Sequence, residues 1–224
     1  ARRFVHTYDP CLWIDPRGRL WIFWAQSAGV QDGRMGVWAM VTENPSEVEP
    51  NWTEPRRIAN GVMLNKPTAL KNGDWLLCIG LWRDNTNVPN VKFDPEDLAP
   101  YTVEMLTHDL GEERGSNVYR STDEGASFER IGQVRIPGTR VDEHMIVERR
   151  DGSLWMLLRN TSGMAQSVST DGGRTWKESS ICLQGRTFAN KRFFVRRLRS
   201  GGLLMVQNNA PDGKRSHLTA FLSD

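Results

Sequence analysis

Two observations predict an all-β fold built from repeated antiparallel sheets: a turn motif that occurs twice and a glycine-led strand that occurs four times. The turn reads Ser121-Thr122-Asp123-Glu124-Gly125-Ala126-Ser127-Phe128 and again Ser169-Thr170-Asp171-Gly172-Gly173-Arg174-Thr175-Trp176. In both copies Asp can fold its carboxylate back onto backbone N–H groups, Gly can take positive φ, and the aromatic can tuck under the hairpin. The strand is led by Gly18, Gly73, Gly152 and Gly201, each followed by an apolar run such as Leu20-Trp21-Ile22-Phe23 or Leu154-Trp155-Met156-Leu157. An internal repeat fixes the architecture before any site is sought. Short strands separated by Gly and Asp turns, with no helical period, point to sheet. Four-stranded units arranged radially are the blades of a β-propeller, and about four are present.

Along the chain the blades are expected at 1–60, 61–135, 136–183 and 184–224, the last incomplete. The first carries Gly18 and its strand. The second carries Gly73, a long Asn-, Asp- and Pro-rich insertion between Trp82 and Gly115 that reads as a loop, and the first turn motif. The third is the most complete, with Gly152 followed by the second turn motif. In the fourth, Gly201 leads a strand and the chain stops at Phe221-Leu222-Ser223-Asp224, as the segments before Asp123 and Asp171 begin. A truncated ring is therefore expected, and an open ring leaves sheet edges for self-association.

Composition sets limits. With 38% hydrophobic and 25% charged residues the 224-residue chain is an ordinary globular one, and a net charge of +2 gives no support for a nucleic-acid partner. The run Arg192, Arg196, Arg197, Arg199 reads by strand alternation as a solvated edge. Nine Trp residues should pack mostly between blades, with some at the mouth free to stack on sugars. Cys11, Cys78 and Cys182 lie in or beside apolar strands and read as buried thiols. His6, His144 and His217 have no metal-ligand spacing, so no cofactor or metal is expected. No apolar run reaches membrane length.

The turn motif is the Asp-box, or bacterial neuraminidase repeat, and the chain resembles the sialidase superfamily of six-bladed propellers. A more specific likeness lies between the boxes, where Asp142-Glu143-His144 through Asp151-Gly152-Ser153-Leu154 to Arg159 is similar to the family's D-E-N…E-x-x-D-G-x-(aliphatic)-R pattern. The resemblance implies that Glu143 is the general base for a tyrosine nucleophile and that Arg159, sixteen residues later, binds the sugar carboxylate. Guanidinium groups suit that task through paired, charge-assisted hydrogen bonds. Asn208-Asn209-Ala210-Pro211-Asp212-Gly213-Lys214-Arg215 resembles the stretch carrying a further carboxylate-binding arginine, which implies Arg215. Asp9 in Tyr8-Asp9-Pro10 resembles a strand start that faces substrate, and Asn65 in Asn65-Lys66-Pro67 occupies the equivalent place in the next unit.

The resemblance implies an exo-α-sialidase-like glycosidase, acting on a glycan or small sugar and secreted or periplasmic. The family's R-I-P arginine, first-blade Asp and last-blade Tyr have no counterparts here. Arg135-Ile136-Pro137 lies in the wrong blade, and Tyr8, Tyr101 and Tyr119 are in the wrong context. The chain alone is thus expected to be inactive. Two other readings remain open: another carbohydrate-active propeller enzyme, such as a rhamnosidase or a lyase on uronate glycans using His6, and a non-catalytic glycan-binding propeller.

Overall fold

The computed structural model describes residues 6–27, 35–81, 110–137, 143–182 and 191–223. Most of the insertion, Tyr101, Asp142 and the His6 side chain lie outside the described residues. The protein is all-β, with four antiparallel sheets in a propeller arrangement. The first sheet comprises β1 (His6–Ile14), β2 (Leu20–Ser27), β3 (Gly36–Thr42) and β4 (Arg56–Asn60). The second holds β5 (Thr68–Ala69), β6 (Trp75–Leu81), β7 (Gly115–Ser121) and β8 (Glu129–Val134), with a 3-10 turn at Leu110–Glu113 before β7. The third holds β9 (Met145–Glu148), β10 (Leu154–Asn160), β11 (Gly163–Ser169) and β12 (Ser180–Cys182). The fourth has three strands, β13 (Phe193–Arg197), β14 (Leu203–Asn208) and β15 (Leu218–Leu222).

The same hairpin closes the first two strands of every sheet. Its return bond runs from the N–H of Asp15, Leu70, Arg149 or Leu198 to the carbonyl four residues on, at 2.7–3.0 Å. Gly18, Gly73, Gly152 and Gly201 complete it with φ between 83° and 93°, a conformation from which a Cβ is excluded by strain rather than by neighbours. Repetition of this turn is what makes the units superimposable in sequence as well as in space.

Apolar cores lie between successive sheets. Trp21, Phe23, Val37, Trp75, Leu77 and Ile79 fill the first interface, where Trp75 meets Trp13 and Trp21 edge-on with centroids 4.8 and 5.8 Å away. Leu76, Val118, Ile146, Leu154, Met156 and Leu158 fill the second, and Met145, Leu157, Met164, Phe193 and Val195 the third. Alternation along each strand sends odd and even residues to opposite neighbours, so each inner sheet is buried on both faces. The strand β6 shows the result, with all seven residues buried.

The Asp-box turns sit at the outer strands, opposite the end where the inner strands begin. Asp171 accepts the Thr175 N–H at 3.0 Å, the Thr175 hydroxyl at 2.5 Å and the Ser169 hydroxyl at 2.7 Å, and Asp123 does the same with Ser127 and Ser121. These bonds hold the Asp123 carboxyl down to about 2, and Asp171 lower still. Each box also docks on the preceding sheet. Arg17 and Arg19 bond the Glu124 carboxylate and carbonyl at 2.6 Å, and Arg56 donates to the Gly125 and Ala126 carbonyls. A Cβ on Gly125 would stand 2.6 Å from Trp75, and one on Gly132 would stand 2.1 Å from the Gly173 carbonyl of the next box.

Candidate functional site

The site is built where the four innermost strands β1, β5, β9 and β13 begin. Six residues before the shared hairpin bond at Asp15, Leu70, Arg149 and Leu198 stand Asp9, Leu64, Glu143 and Arg192, one per sheet. Equivalent positions in a propeller converge around its axis; Glu143 and Arg192 occupy two of them, and in the first sheet the bulge sets Asp9 beside Tyr8, the residue that pairs with Ala25 at that level.

Glu143 and Arg159 meet. Met145 pairs with Leu157 across β9 and β10, so the two residues further out on the same face are Glu143 and Arg159. The Arg159 Nη1 donates to Glu143 Oε2 at 2.5 Å, with side chains 15% and 11% exposed. Among the described residues, Arg159 Nε is buried with no hydrogen-bond partner. His144 turns the other way: its Nε2 lies 2.8 Å from the Asn117 carbonyl, and the residue is buried.

Asn65 is buried and donates from Nδ2 to the His144 carbonyl at 3.3 Å, tying the second sheet to the third. Thr68 repeats the tie lower down by donating to the Ile146 carbonyl at 2.7 Å. Asp9 sits in a β-bulge, between the pairs Tyr8–Ala25 and Cys11–Phe23, with φ of 48°. A bulge re-aims a side chain, and a non-glycine residue at positive φ persists only where its surroundings enforce it. The Asp9 carboxylate lies 3.6 Å from Arg192 Nη1. Arg215 is exposed on the loop between β14 and β15, at the same end, and no hydrogen bond or ion pair joins it to Glu143 or Arg159 among the described residues.

Sequence reasoning missed Arg192. The segment 192–199 is not a solvated edge throughout: Arg192 donates to the Leu64 carbonyl of the second sheet, and Arg197 donates to the Glu148 and Gly201 carbonyls. Counting back six residues from each hairpin turn would have found Arg192 as the counterpart of Glu143. Gln207 was missed as well. It is the cross-strand partner of Phe193, is 2% exposed, and neither its Nε2 nor its Oε1 has a partner among the described residues. The Val195 N–H reaches the Met145 Sδ at 3.2 Å, which ties the fourth sheet to the third.

A cavity of about 620 Å³ runs along the inner strands, lined by Trp13, Thr68, Met145, Glu148 and Phe194 among others. None of Asp9, Asn65, Glu143, Arg159 or Arg215 lines it. Its lining comes from the inner strands and the turns that follow them, whereas Glu143 and Arg192 precede β9 and β13. Near the rim the Cys11 thiol is raised by burial and partly offset by the charges of Lys66 and Arg192. The Tyr8 hydroxyl is 2.7 Å from Ser27 Oγ, and burial, with Glu113 nearby, pushes Tyr119 up to about 12 in the first interface. Among the described residues no group of His, Cys, Asp and Glu could hold a metal ion, and no helix is long and apolar enough to cross a membrane.

Comparison with known proteins agrees with this architecture. The sequence profile of the BNR repeat-like domain matches residues 2–224. Among solved structures, the Hadza microbial sialidase Hz136 superimposes with a TM-score of 0.67 at 16% identity, over 98% of this chain and 43% of its own. A protein of unknown function from Dyadobacter fermentans DSM 18053 gives 0.56 at 15% identity, over 93% of this chain and 64% of its own. Zg3597, a family 117 glycoside hydrolase from Zobellia galactanivorans, gives 0.55 at 11% identity, over 98% and 67%. This chain thus spans less than two thirds of the first two structures, and identities so low speak to fold alone. No curated protein matches. With two Asp-boxes, four sheets around an axis and a profile match over nearly its whole length, the chain belongs to the BNR repeat-like domain family and has the sialidase type of propeller fold.

Proposed function

We propose that the chain is part of a sialidase-like glycoside hydrolase and binds a terminal acidic sugar at the rim where the inner strands begin. The observation that carries the reading is the Glu143–Arg159 pair, a carboxylate and a guanidinium 2.5 Å apart on one face where β9 begins. In this reading Arg159 and Arg215 face the sugar carboxylate, Asp9 and Asn65 line the pocket, and Glu143 is the base for a tyrosine supplied by the rest of the propeller. A general base must lie within hydrogen-bond reach of the proton it takes. Tyr8 is engaged with Ser27 and Tyr119 lies in the first interface, so neither serves Glu143 here.

The test is calorimetric titration of the chain with the unsaturated transition-state analogue of sialic acid, alongside a fluorogenic sialoside. Binding without turnover is expected, and Arg159→Met should weaken it by about tenfold or more, the worth of a charge-assisted hydrogen bond. Failure of the chain to bind any acidic sugar would sink the proposal. Closure of Glu143 on Arg159 favours one second reading, a glycan-binding propeller without catalysis. Turnover by the longer protein, lost on Glu143→Gln, would exclude it.

A further inference from the structure

We propose that Arg192 is a specificity-determining residue of this site: its guanidinium engages the carboxylate of the acidic sugar, and Asp9 is the counter-ion that the ligand displaces. The assignment rests on the reading under Proposed function and adds a residue from the fourth sheet to it.

Two ion pairs stand at the rim, and they differ in how much of their bonding capacity is already spent. Glu143 and Arg159 are 2.5 Å apart and only 11% and 15% exposed, so a ligand carboxylate must compete with Glu143 for Arg159. Asp9 and Arg192 are 3.6 Å apart and 37% and 48% exposed. That separation is beyond a hydrogen bond, so the pair attracts without satisfying the donors of the guanidinium. A guanidinium carries five N–H donors in a fixed fork that matches a carboxylate bidentately. Arg192 uses one edge on the Leu64 carbonyl, whose residue is buried, and that anchor fixes the plane of the fork while the remainder faces solvent.

Placement supports the role. Arg192 is the fourth-sheet equivalent of Glu143, and its partners in the first and second sheets show that it reaches across the end where the inner strands begin. Asp9 is delivered to it by the bulge and by a positive φ, a local strain concentrated on one residue of β1. Lys66, exposed beside Asn65, adds a second positive charge, close enough that both it and Arg192 act on the Cys11 thiol. Two cations against one carboxylate leave this part of the rim positive before any ligand arrives.

The experiment titrates the unsaturated sialic acid analogue, and its neutral methyl ester, into the wild-type chain and into Arg192→Ala, Arg192→Lys, Asp9→Asn and Arg159→Met, with melting temperatures measured in parallel. Arg192→Ala should weaken the acid by about tenfold to a hundredfold and the ester by less than about twofold. Arg192→Lys, which keeps the charge and loses the fork, should fall between. Asp9→Asn should raise the preference for the acid over the ester by roughly threefold, since it removes the competing carboxylate. Should Arg192→Ala fail to fold, Arg192→Lys and Asp9→Asn carry the same comparison. Arg192 variants that melt lower but bind the acid like wild type would make Arg192 a strut between sheets and overturn the assignment. If they bind normally while Arg159→Met does not, the reading of the site stands and only Arg192 falls. If the wild-type chain binds neither acid nor ester, both fall.

Discussion

Replacing Arg159 by Met should destabilise the protein far more than replacing both members of its ion pair. The pair is 2.5 Å apart with about seven eighths of each side chain out of solvent. At an effective dielectric near 20 and a charge separation of about 4 Å, the attraction is worth about 4 kcal/mol. Arg159→Met forfeits it and leaves Glu143 desolvated without a counter-charge, so a loss of about 2–4 kcal/mol is expected. At about 2–4 °C per kcal/mol for a chain of this size, the melting temperature should fall by roughly 5–15 °C. Glu143→Leu should be comparably harmful. The double variant should lie within about 1 kcal/mol of wild type, because it removes two desolvated charges together with the unpartnered Arg159 Nε. Urea denaturation followed by tryptophan fluorescence at pH 7 measures all four corners of the cycle. Single losses below about 0.5 kcal/mol that simply add would show that the pair is effectively solvated and refute the reasoning.

Three further outcomes are expected. Because hydrogen bonds hold the Asp123 carboxyl at about 2, below its ordinary 3.8, its contribution is complete above pH 4 and lost as pH falls toward 2. Asp123→Asn should therefore flatten the acid limb of a stability-against-pH curve, and an unchanged limb would contradict the turn's role. Gln207→Leu should raise stability by about 1 kcal/mol or more, since it removes a buried amide with neither atom bonded among the described residues, and a lower urea midpoint would reveal a partner such as bound water. Gly132→Ala should cost about 2 kcal/mol or more, because the new methyl would meet the Gly173 carbonyl at 2.1 Å; a melting temperature within 1 °C of wild type would mean the Asp-box yields easily.

What could be read from sequence was whatever is local in the chain. The glycine hairpins and Asp-boxes each span fewer than ten residues, so their geometry is written in residue type alone, and they imply the sheets. Glu143 and Arg159 were singled out by the resemblance to the sialidase pattern; that they meet follows from the register of the hairpin that joins them. Arg192 was not, since its partners are a carboxylate in the first sheet and a backbone carbonyl in the second, and a carbonyl leaves no mark on a sequence. Alternation suggested solvent for Arg197 for the same reason: the Glu148 and Gly201 carbonyls that hold it are invisible to a pattern of polar and apolar letters. The burial of the Gln207 amide was equally hidden, because strand pairing with Phe193 and not composition puts it inside.

The docking of each Asp-box on the sheet before it means that a unit carries its own fastener. Glu124, Gly125 and Ala126 belong to the second sheet yet are gripped by Arg17, Arg19 and Arg56 of the first, and Gly173 of the third rests against Gly132 of the second. A gene segment copied in tandem would bring the plug with it and find a receptacle already present on its predecessor, so lengthening the array requires no new joint to be invented. The same arrangement gives growth a direction, each addition completing the one before, and makes stability accumulate by neighbouring pairs as in linear repeat proteins. Diversification is then free to concentrate at the other end of the strands, where Leu64, Glu143 and Arg192 differ in chemistry from one sheet to the next while an Asp-box still packs on the sheet before it in both copies.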